Sequence, residues 1–79
     1  MSWIRKLPSP LELKDGRRVA ILRDAADLIL ALPARQKANK RWEHAAELMM
    51  KAAKPTARAA DMEAFADQFS RALKADEMI

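Results

Sequence analysis

Four prolines divide this 79-residue chain into short stretches and so limit the elements that it can form. Pro8 and Pro10 disfavour helix near the start, because proline lacks a backbone N–H and pushes the residue before it toward extended geometry. Residues 1–10 are therefore expected to form an extended lead-in. Pro33 and Pro55 each end a helix for the same steric reason, so the helices that follow the lead-in are expected to be short.

A β-hairpin is predicted over residues 11–21. Asp-Gly is a strong turn signal, and Gly16, which follows Asp15, is the only glycine of the chain. Because side chains alternate along a strand, Leu11 shares a face with Val19 only if the loop has an odd number of residues. We therefore expect a loop of Lys14, Asp15 and Gly16, with Gly16 left-handed in a bulged turn.

After the hairpin, apolar residues recur at spacings of three and four, which is typical of amphipathic helices. This periodicity predicts helices over residues 22–32, 39–53 and 57–75. Asn39 and Thr56 are suitable N-caps for the second and third helices, because their side chains can accept a hydrogen bond from the first helical turn. The basic connection between the first two helices has room for one helical turn.

The predicted fold is α+β and mostly helical: an N-terminal β-hairpin followed by three packed helices in one small domain spanning residues 1–79. A domain of this size buries only about 60% of the surface that its unfolded chain exposes, so its stability margin is thin. The predicted core consists of Leu11, Leu13, Val19, Ile21, Leu28, Ile29, Leu32, Trp42, Ala46, Met49, Phe65, Phe69 and Leu73.

The composition argues against several kinds of site. The chain has no cysteine and one histidine, which excludes disulfides, thiolate metal sites and multi-histidine metal sites. Its longest uncharged apolar stretch, residues 28–34, is far shorter than the ~20 residues of a membrane-spanning helix. We expect a soluble, cytoplasmic protein with no cofactor and no membrane partner.

Catalytic chemistry is not expected from this sequence. His44, the only histidine of the chain, lies on the polar side of its predicted helix and is expected to face water. The carboxylate pairs Glu43/Glu47 and Glu63/Asp67 have helical i,i+4 spacing, which is more typical of a solvated face than of a cation site. The sequence therefore predicts no enzyme and no catalytic, cofactor-binding or metal-binding residues.

Charge is unevenly distributed along the chain. Residues 1–58 carry 13 basic and 6 acidic side chains, whereas residues 59–79 carry 2 basic and 5 acidic ones. Residues 35–41 form the densest basic run. The candidate contact surface therefore consists of Arg35, Lys37, Lys40 and Arg41, joined by Arg17 and Arg18 of the hairpin.

Two functions are consistent with this charge distribution. The first is a non-enzymatic protein-interaction module that binds a partner protein or a second copy of itself. In such a homodimer the acidic last helix of one subunit would meet the basic run of the other. The alternative is a small basic nucleic-acid-binding or regulatory accessory protein, in which residues 35–41 contact phosphates. No helix-turn-helix and no interleaved aromatic residues support the alternative.

Several short motifs carry a resemblance. The order Leu-Lys-Asp-Gly-Arg, Asp-Ala, Leu-Pro and Trp-x-x-Ala-Ala-Glu-Leu, over roughly residues 10–53, resembles small uncharacterised bacterial proteins of unassigned function. The resemblance implies a bacterial source and carries no activity, ligand or site residue with it.

The N-terminal pair Trp3-Ile4 lies outside every periodic element. It can dock onto its own domain or anchor a partner, since aromatic residues serve both purposes. The sequence leaves both alternatives open.

Overall fold

The computed structural model describes residues 2–79 and has an α+β, mostly helical architecture, as the sequence predicts. A two-stranded antiparallel hairpin comes first, formed by β1 (Lys6–Glu12) and β2 (Arg18–Ile21). Four helices follow it: α1 (Leu22–Ala31), α2 (Ala34–Lys37), α3 (Lys40–Ala53) and α4 (Ala59–Ala75). The third and fourth helices pack on each other, while β1 lies against α4 and β2 against α1.

The hairpin loop has the predicted odd length. The backbone N–H of Leu13 donates to the carbonyl of Arg17 at 2.8 Å, and that of Gly16 donates to the carbonyl of Leu13 at 3.0 Å. Gly16 has a φ of 93°, a value that side-chain-bearing residues rarely adopt. Leu11 lies opposite Val19 in the ladder, so the apolar residues share a face as expected. The prediction of a bulged three-residue loop is confirmed.

The predicted start of the hairpin at residue 11 is wrong, because β1 begins at Lys6 within the expected lead-in. Lys6 pairs with Ile21, and the register shifts between Lys6 and Leu11. The two prolines lie inside this irregular stretch, where the ladder does not need their missing N–H groups. The strand thereby gains Leu7, a buried residue that the sequence analysis did not assign to the core.

Local side-chain bonds explain where three of the helices begin. Asp24 accepts hydrogen bonds from the backbone N–H groups of Ala20 and Ile21, so α1 starts directly from β2 without a linker. Asn39 accepts from the N–H of Arg41 at 2.9 Å and caps α3 as predicted. The cap predicted for Thr56 is wrong: α4 begins at Ala59, and the Asp61 carboxylate accepts from the N–H of Arg58 instead.

The first two predicted helices each differ from the observed ones by one residue at one end, and one additional helical turn is present between them. Helix α1 ends at Ala31, and Leu32 is already extended because Pro33 follows it. The predicted connection contains α2, a single turn, so the hairpin is followed by four helices rather than three.

The core lies where α3 and α4 meet the hairpin and α1. The Trp42 and Phe69 rings pack edge to face with centroids 5.9 Å apart, and Phe65 stacks on Phe69 at 5.2 Å. Ten of the predicted core residues are buried, whereas Leu11, Ile21 and Ala46 are only partly so. Seven further residues are buried that the apolar pattern did not predict: Leu7, Leu22, Ala25, Ala45, Ala52, Ala53 and Ala72.

The N-terminal segment docks onto its own domain. The backbone N–H of Ser2 donates to the carbonyl of Ala53, and that of Arg23 donates to the carbonyl of Trp3, both at 2.8 Å. The Trp3 side chain packs at the edge of the core, while Ile4 is 77% exposed. Of the two alternatives for this segment, Trp3 therefore docks onto its own domain, while Ile4 faces outward.

No helix within residues 2–79 has both the length and the apolar character needed to cross a membrane.

Candidate protein-interaction surface

The basic run lies at the corner formed by α2 and the first turn of α3. We call Arg35, Lys37, Lys40 and Arg41 the basic corner. All four side chains are exposed, and α2 itself contains no buried residue. No hydrogen bond or ion pair within residues 2–79 involves the side chain of Arg35, Lys37 or Lys40. These three cations are therefore free to meet an external acceptor.

Asp76 organises this corner from the end of α4. Its carboxylate accepts hydrogen bonds from Nε2 of Gln36 at 2.6 Å and from Nε1 of Trp42 at 2.5 Å. It also lies 3.4 Å from Nη2 of Arg41. One carboxylate thereby joins α2 and α3 to the end of α4.

The turn that follows α4 positions Asp76 for these contacts. The N–H of Met78 donates to the carbonyl of Leu73, and the N–H of Glu77 donates to that of Lys74. These two bonds form a Schellman motif, in which the residue after the cap is left-handed and is usually glycine. Glu77 occupies that position with a φ of 57°. The tight reversal keeps Asp76 at the end of the helix and against α3.

The environment of Asp76 favours its charged form. The hydrogen bond from the Trp42 indole is the main reason that the pKa of Asp76 lies below its ordinary value. Burial opposes this effect, while the bonds from Gln36 and Arg41 add to the lowering. Asp76 is therefore an anion at neutral pH and draws the Arg41 guanidinium toward it.

The two hairpin residues of the predicted contact surface lie beside acidic side chains. Arg17 of the hairpin turn forms an ion pair with Asp15 at 2.6 Å, and its backbone N–H also bonds that carboxylate. The main-chain bond to Arg17 is the chief cause of a lowered pKa for Asp15. Arg17 and Arg18 together line a cavity of about 260 Å³ that also contains Asp24 and Asp27.

Met78 lies between the hairpin turn and α2. Its carbonyl accepts from the N–H of Lys14 at 2.8 Å, and its sulfur lies 3.7 Å from Nε2 of Gln36. This arrangement ties the turn and the corner to one segment.

The electrostatics of α3 give the corner a further property. Lys40 and Arg41 are the first two residues of this 14-residue helix, and Glu43 is the only acid of its first turn. A helix N-terminus carries a partial positive charge, so cations there reduce helix stability. Lys40 and Arg41 thus oppose the local electrostatic preference of α3.

The other polar groups considered in the sequence analysis lie at the surface. His44 is exposed, with its Nδ1 4.0 Å from the Glu47 carboxylate. Asp67 pairs with Arg71 on the outside of α4 at 3.2 Å. No group of three His, Asp or Glu side chains within residues 2–79 is placed to hold a metal ion.

Sequence reasoning missed Asp76 and Gln36. Asp76 did carry a signal, because an acid at the C-terminal end of a helix opposes the helix dipole and so suggests a specific partner. Gln36 carried no such signal, because nothing in the sequence around a glutamine in a basic connection indicates which residue it bonds.

Comparisons of the chain with protein-family models, with curated protein sequences and with solved structures found no match. The resemblance to small bacterial proteins and the expected cytoplasmic location therefore stay predictions.

Proposed function

We propose that this protein is a non-enzymatic interaction module that binds an acidic segment of a partner protein at the basic corner. One observation carries the proposal: Arg35, Lys37 and Lys40 are exposed cations that have no acceptor within residues 2–79, and the Gln36–Asp76 hydrogen bond holds α2 in place beside α3. The corner offers charge on a fixed backbone, which suits recognition of carboxylates.

Preorganisation supports this reading. Gln36 is half-buried and bonded at 2.6 Å, so the residues on either side of it, Arg35 and Lys37, are presented from a fixed turn. Asn39 caps α3 and fixes the backbone that carries Lys40. The entropy lost when a partner binds therefore comes mainly from ordering three side chains and not from folding a loop.

Electrostatic cost supports it as well. Cations at the positive end of α3 lower stability by roughly 0.3–1 kcal/mol each at exposed positions. Residues that weaken the fold in this way are expected at functional sites, where binding compensates for them. A carboxylate of the partner would interact favourably with both the side chains and the helix dipole.

An acidic protein fits the corner better than a nucleic acid does. Asp76 partly neutralises Arg41, which leaves three cations of the corner unpaired within the part of the chain that the structure describes. Glu43 is exposed on the same helix end. Neutralising three phosphates gives a salt dependence with a logarithmic slope near −2.7, well short of the 6–10 contacts of many duplex-binding proteins. Such a contact would be weak at physiological salt.

Fluorescence anisotropy with the whole chain tests the proposal. The probes are a labelled peptide of alternating glutamate and leucine, a labelled DNA duplex and a labelled single-stranded RNA, at about 50 mM and about 200 mM salt. We expect the acidic peptide to bind most tightly, and R35Q/K37Q/K40Q to weaken it by about tenfold or more. The matched control K51Q/K54Q/K74Q removes the same charge from exposed positions elsewhere and is expected to retain most of the affinity.

Two results would overturn the proposal. One is equal weakening by the triple variant and its control, because binding would then follow net charge alone. The other is tighter binding of either nucleic acid at both salt concentrations, which would favour the nucleic-acid-binding function instead.

Self-association is the second form of protein interaction that the sequence predicts. The Arg41–Asp76 contact already joins the basic run to the acidic end of the chain within one molecule. A charge-paired homodimer would thus depend on the three remaining cations of the corner. Sedimentation velocity at high micromolar concentration distinguishes the cases: a monomer at both low and high salt leaves a separate partner protein as the acceptor.

A further inference from the structure

A second basic surface lies on another part of the fold, between β1 and the first turn of α4. It is a cleft of about 450 Å³, which we call the β1–α4 cleft. This volume falls within the range of roughly 300–1,000 Å³ that is common for small-ligand sites. Three cations, Arg5, Lys6 and Arg58, line it together with Glu63 and apolar side chains. None of these residues belongs to the basic corner.

Arg5 is held in place by the backbone. Its Nη1 donates to the carbonyl of Ala57 at 3.3 Å, and its Nη2 donates to that of Pro55 at 3.4 Å. Its own carbonyl accepts from the N–H of Leu22 at 3.0 Å. Carbonyl acceptors orient a guanidinium without cancelling its charge, so Arg5 supplies a fixed positive charge to the cleft.

Lys6 and Arg58 add two positive charges to the cleft that no contact described within the fold neutralises. Within residues 2–79, neither side chain forms a hydrogen bond or an ion pair. The backbone of Lys6 is fixed by its pairing with Ile21, and Arg58 is the N-cap residue of α4. Cations gathered without internal acceptors repel one another, and an anion bound among them relieves that repulsion.

The rest of the lining restricts what kind of anion fits. Pro8, Ala59 and Met62 present apolar surface, and Met62 packs at the edge of the core. The carboxylate of Glu63 leaves the lining with a net charge near two, which suits a single anionic group and disfavours a long polyanion. A ligand that fits both the basic and the apolar parts of the lining has one anionic group attached to an apolar body.

We propose that the β1–α4 cleft binds a small organic anion, a carboxylate or a phosphate monoester attached to an apolar body. The anionic group lies among Lys6, Arg58 and the fixed Arg5 guanidinium, and the apolar body lies against Pro8 and Met62. Charge attracts the ligand, and burial of its apolar part favours it over inorganic ions.

Titration of the whole chain with 1-anilinonaphthalene-8-sulfonate tests this inference, because that probe joins an anionic group to an aromatic body and fluoresces when its body leaves water. We expect a saturable rise in fluorescence at about 50 mM salt. Phenyl phosphate is expected to reverse the rise, whereas phenol and inorganic phosphate are expected to do so far less well, because each lacks one of the two required features.

Matched variants locate the site. K6Q/R58Q is expected to weaken probe binding by about tenfold, since two charge-assisted contacts are lost. K51Q/K74Q removes the same charge from exposed helix positions and is expected to change the affinity by less than about twofold. Thermal unfolding checks that both variants fold, and K6Q alone, expected to weaken binding about threefold, serves if the double variant does not.

Three results would overturn the inference. The first is the absence of saturable probe binding. The second is equal binding by wild type and K6Q/R58Q, which would place the probe elsewhere on the surface. The third is displacement of the probe by inorganic phosphate as efficient as that by phenyl phosphate. That result would show that the apolar part of the ligand does not contribute to binding.

Discussion

The Asp76 carboxylate accepts the indole N–H of Trp42 at 2.5 Å, at the point where the end of α4 meets the start of α3. Trp42 is almost fully buried, so its one polar atom needs an acceptor inside the protein. The same carboxylate holds Gln36, and through it α2. One side chain therefore supports both the core and the turn that displays the basic corner.

Removal of Asp76 is expected to destabilise the fold. D76A leaves the Trp42 indole N–H without its acceptor and is expected to lower the free energy of unfolding by about 2 kcal/mol. D76N keeps one acceptor oxygen and loses the charge, so about half that loss is expected. Urea unfolding at pH 7 measures both. The control D67A breaks an exposed ion pair and should cost less than about 0.5 kcal/mol; an equal loss in D76A would contradict the account.

The stability that Asp76 contributes is expected to disappear in acid. Its pKa lies below the ordinary value of 3.8 in the folded protein. A carboxyl group with a lowered folded pKa contributes its full stability above the unfolded pKa and loses it as the pH falls through the folded pKa. The difference in unfolding free energy between wild type and D76N should therefore be constant from pH 7 to about pH 5 and shrink below pH 3.8. Asp15, whose pKa is also lowered, is present in both proteins and cancels from this difference. A difference that does not change with pH would show that the charge of Asp76 contributes nothing.

Replacement of Glu77 by glycine is expected to stabilise the protein. Glu77 has a φ of 57° at the position of a Schellman motif where glycine is usual. Glycine removes the steric penalty but adds entropy to the unfolded chain, so the net gain expected is about 0.5 kcal/mol. The melting temperature measures this gain. K74G, in the last turn of α4, should instead lower stability by about 1 kcal/mol. A loss of stability in E77G would indicate that the Glu77 side chain makes a favourable contribution of its own.

Gly16→Ala is expected to destabilise the hairpin by about 1 kcal/mol. The φ of Gly16 is 93°, and a Cβ placed there would meet no atom within 4 Å. The cost is thus one of backbone conformation rather than of crowding, and G16N should cost less than G16A because asparagine tolerates left-handed geometry better. Urea unfolding of the two variants provides the comparison. Equal stability of G16A and wild type would mean that the loop relaxes without penalty.

The elements that the sequence predicted well have strong local causes. The loop at Gly16 follows from one turn signal and the alternation of Leu11 and Val19, and the cap at Asn39 follows from the chemistry of its side chain. The apolar stripes around Trp42 and Phe69 follow from helical periodicity. Each of these features depends on residues close together in the chain.

The features that the sequence did not predict depend on contacts between distant residues or on tolerated exceptions. Strand β1 continues through Pro8 and Pro10 because the ladder is irregular there, which no local pattern indicates. The bonds of Asp76 to Gln36 and Trp42 join residues at least 34 positions apart. Thr56 resembles a cap by type, but the Asp61 carboxylate takes that role three residues beyond Arg58.

The sequence named the residues of the candidate surface but not the contacts that they make within the protein. The sequence placed Arg35, Lys37, Lys40 and Arg41 in the basic run, and within residues 2–79 only Arg41 of these four has a side-chain partner. It could not show that Arg17 pairs with Asp15, because both are charged residues of one turn with several available rotamers.

Amide spectra of the ¹⁵N-labelled chain titrated with the acidic peptide show where on the protein the peptide binds. We expect shifts concentrated in residues 34–41, with little change around the β1–α4 cleft and the hairpin turn. Shifts confined to another surface, or spread evenly over every exposed lysine and arginine, would contradict it.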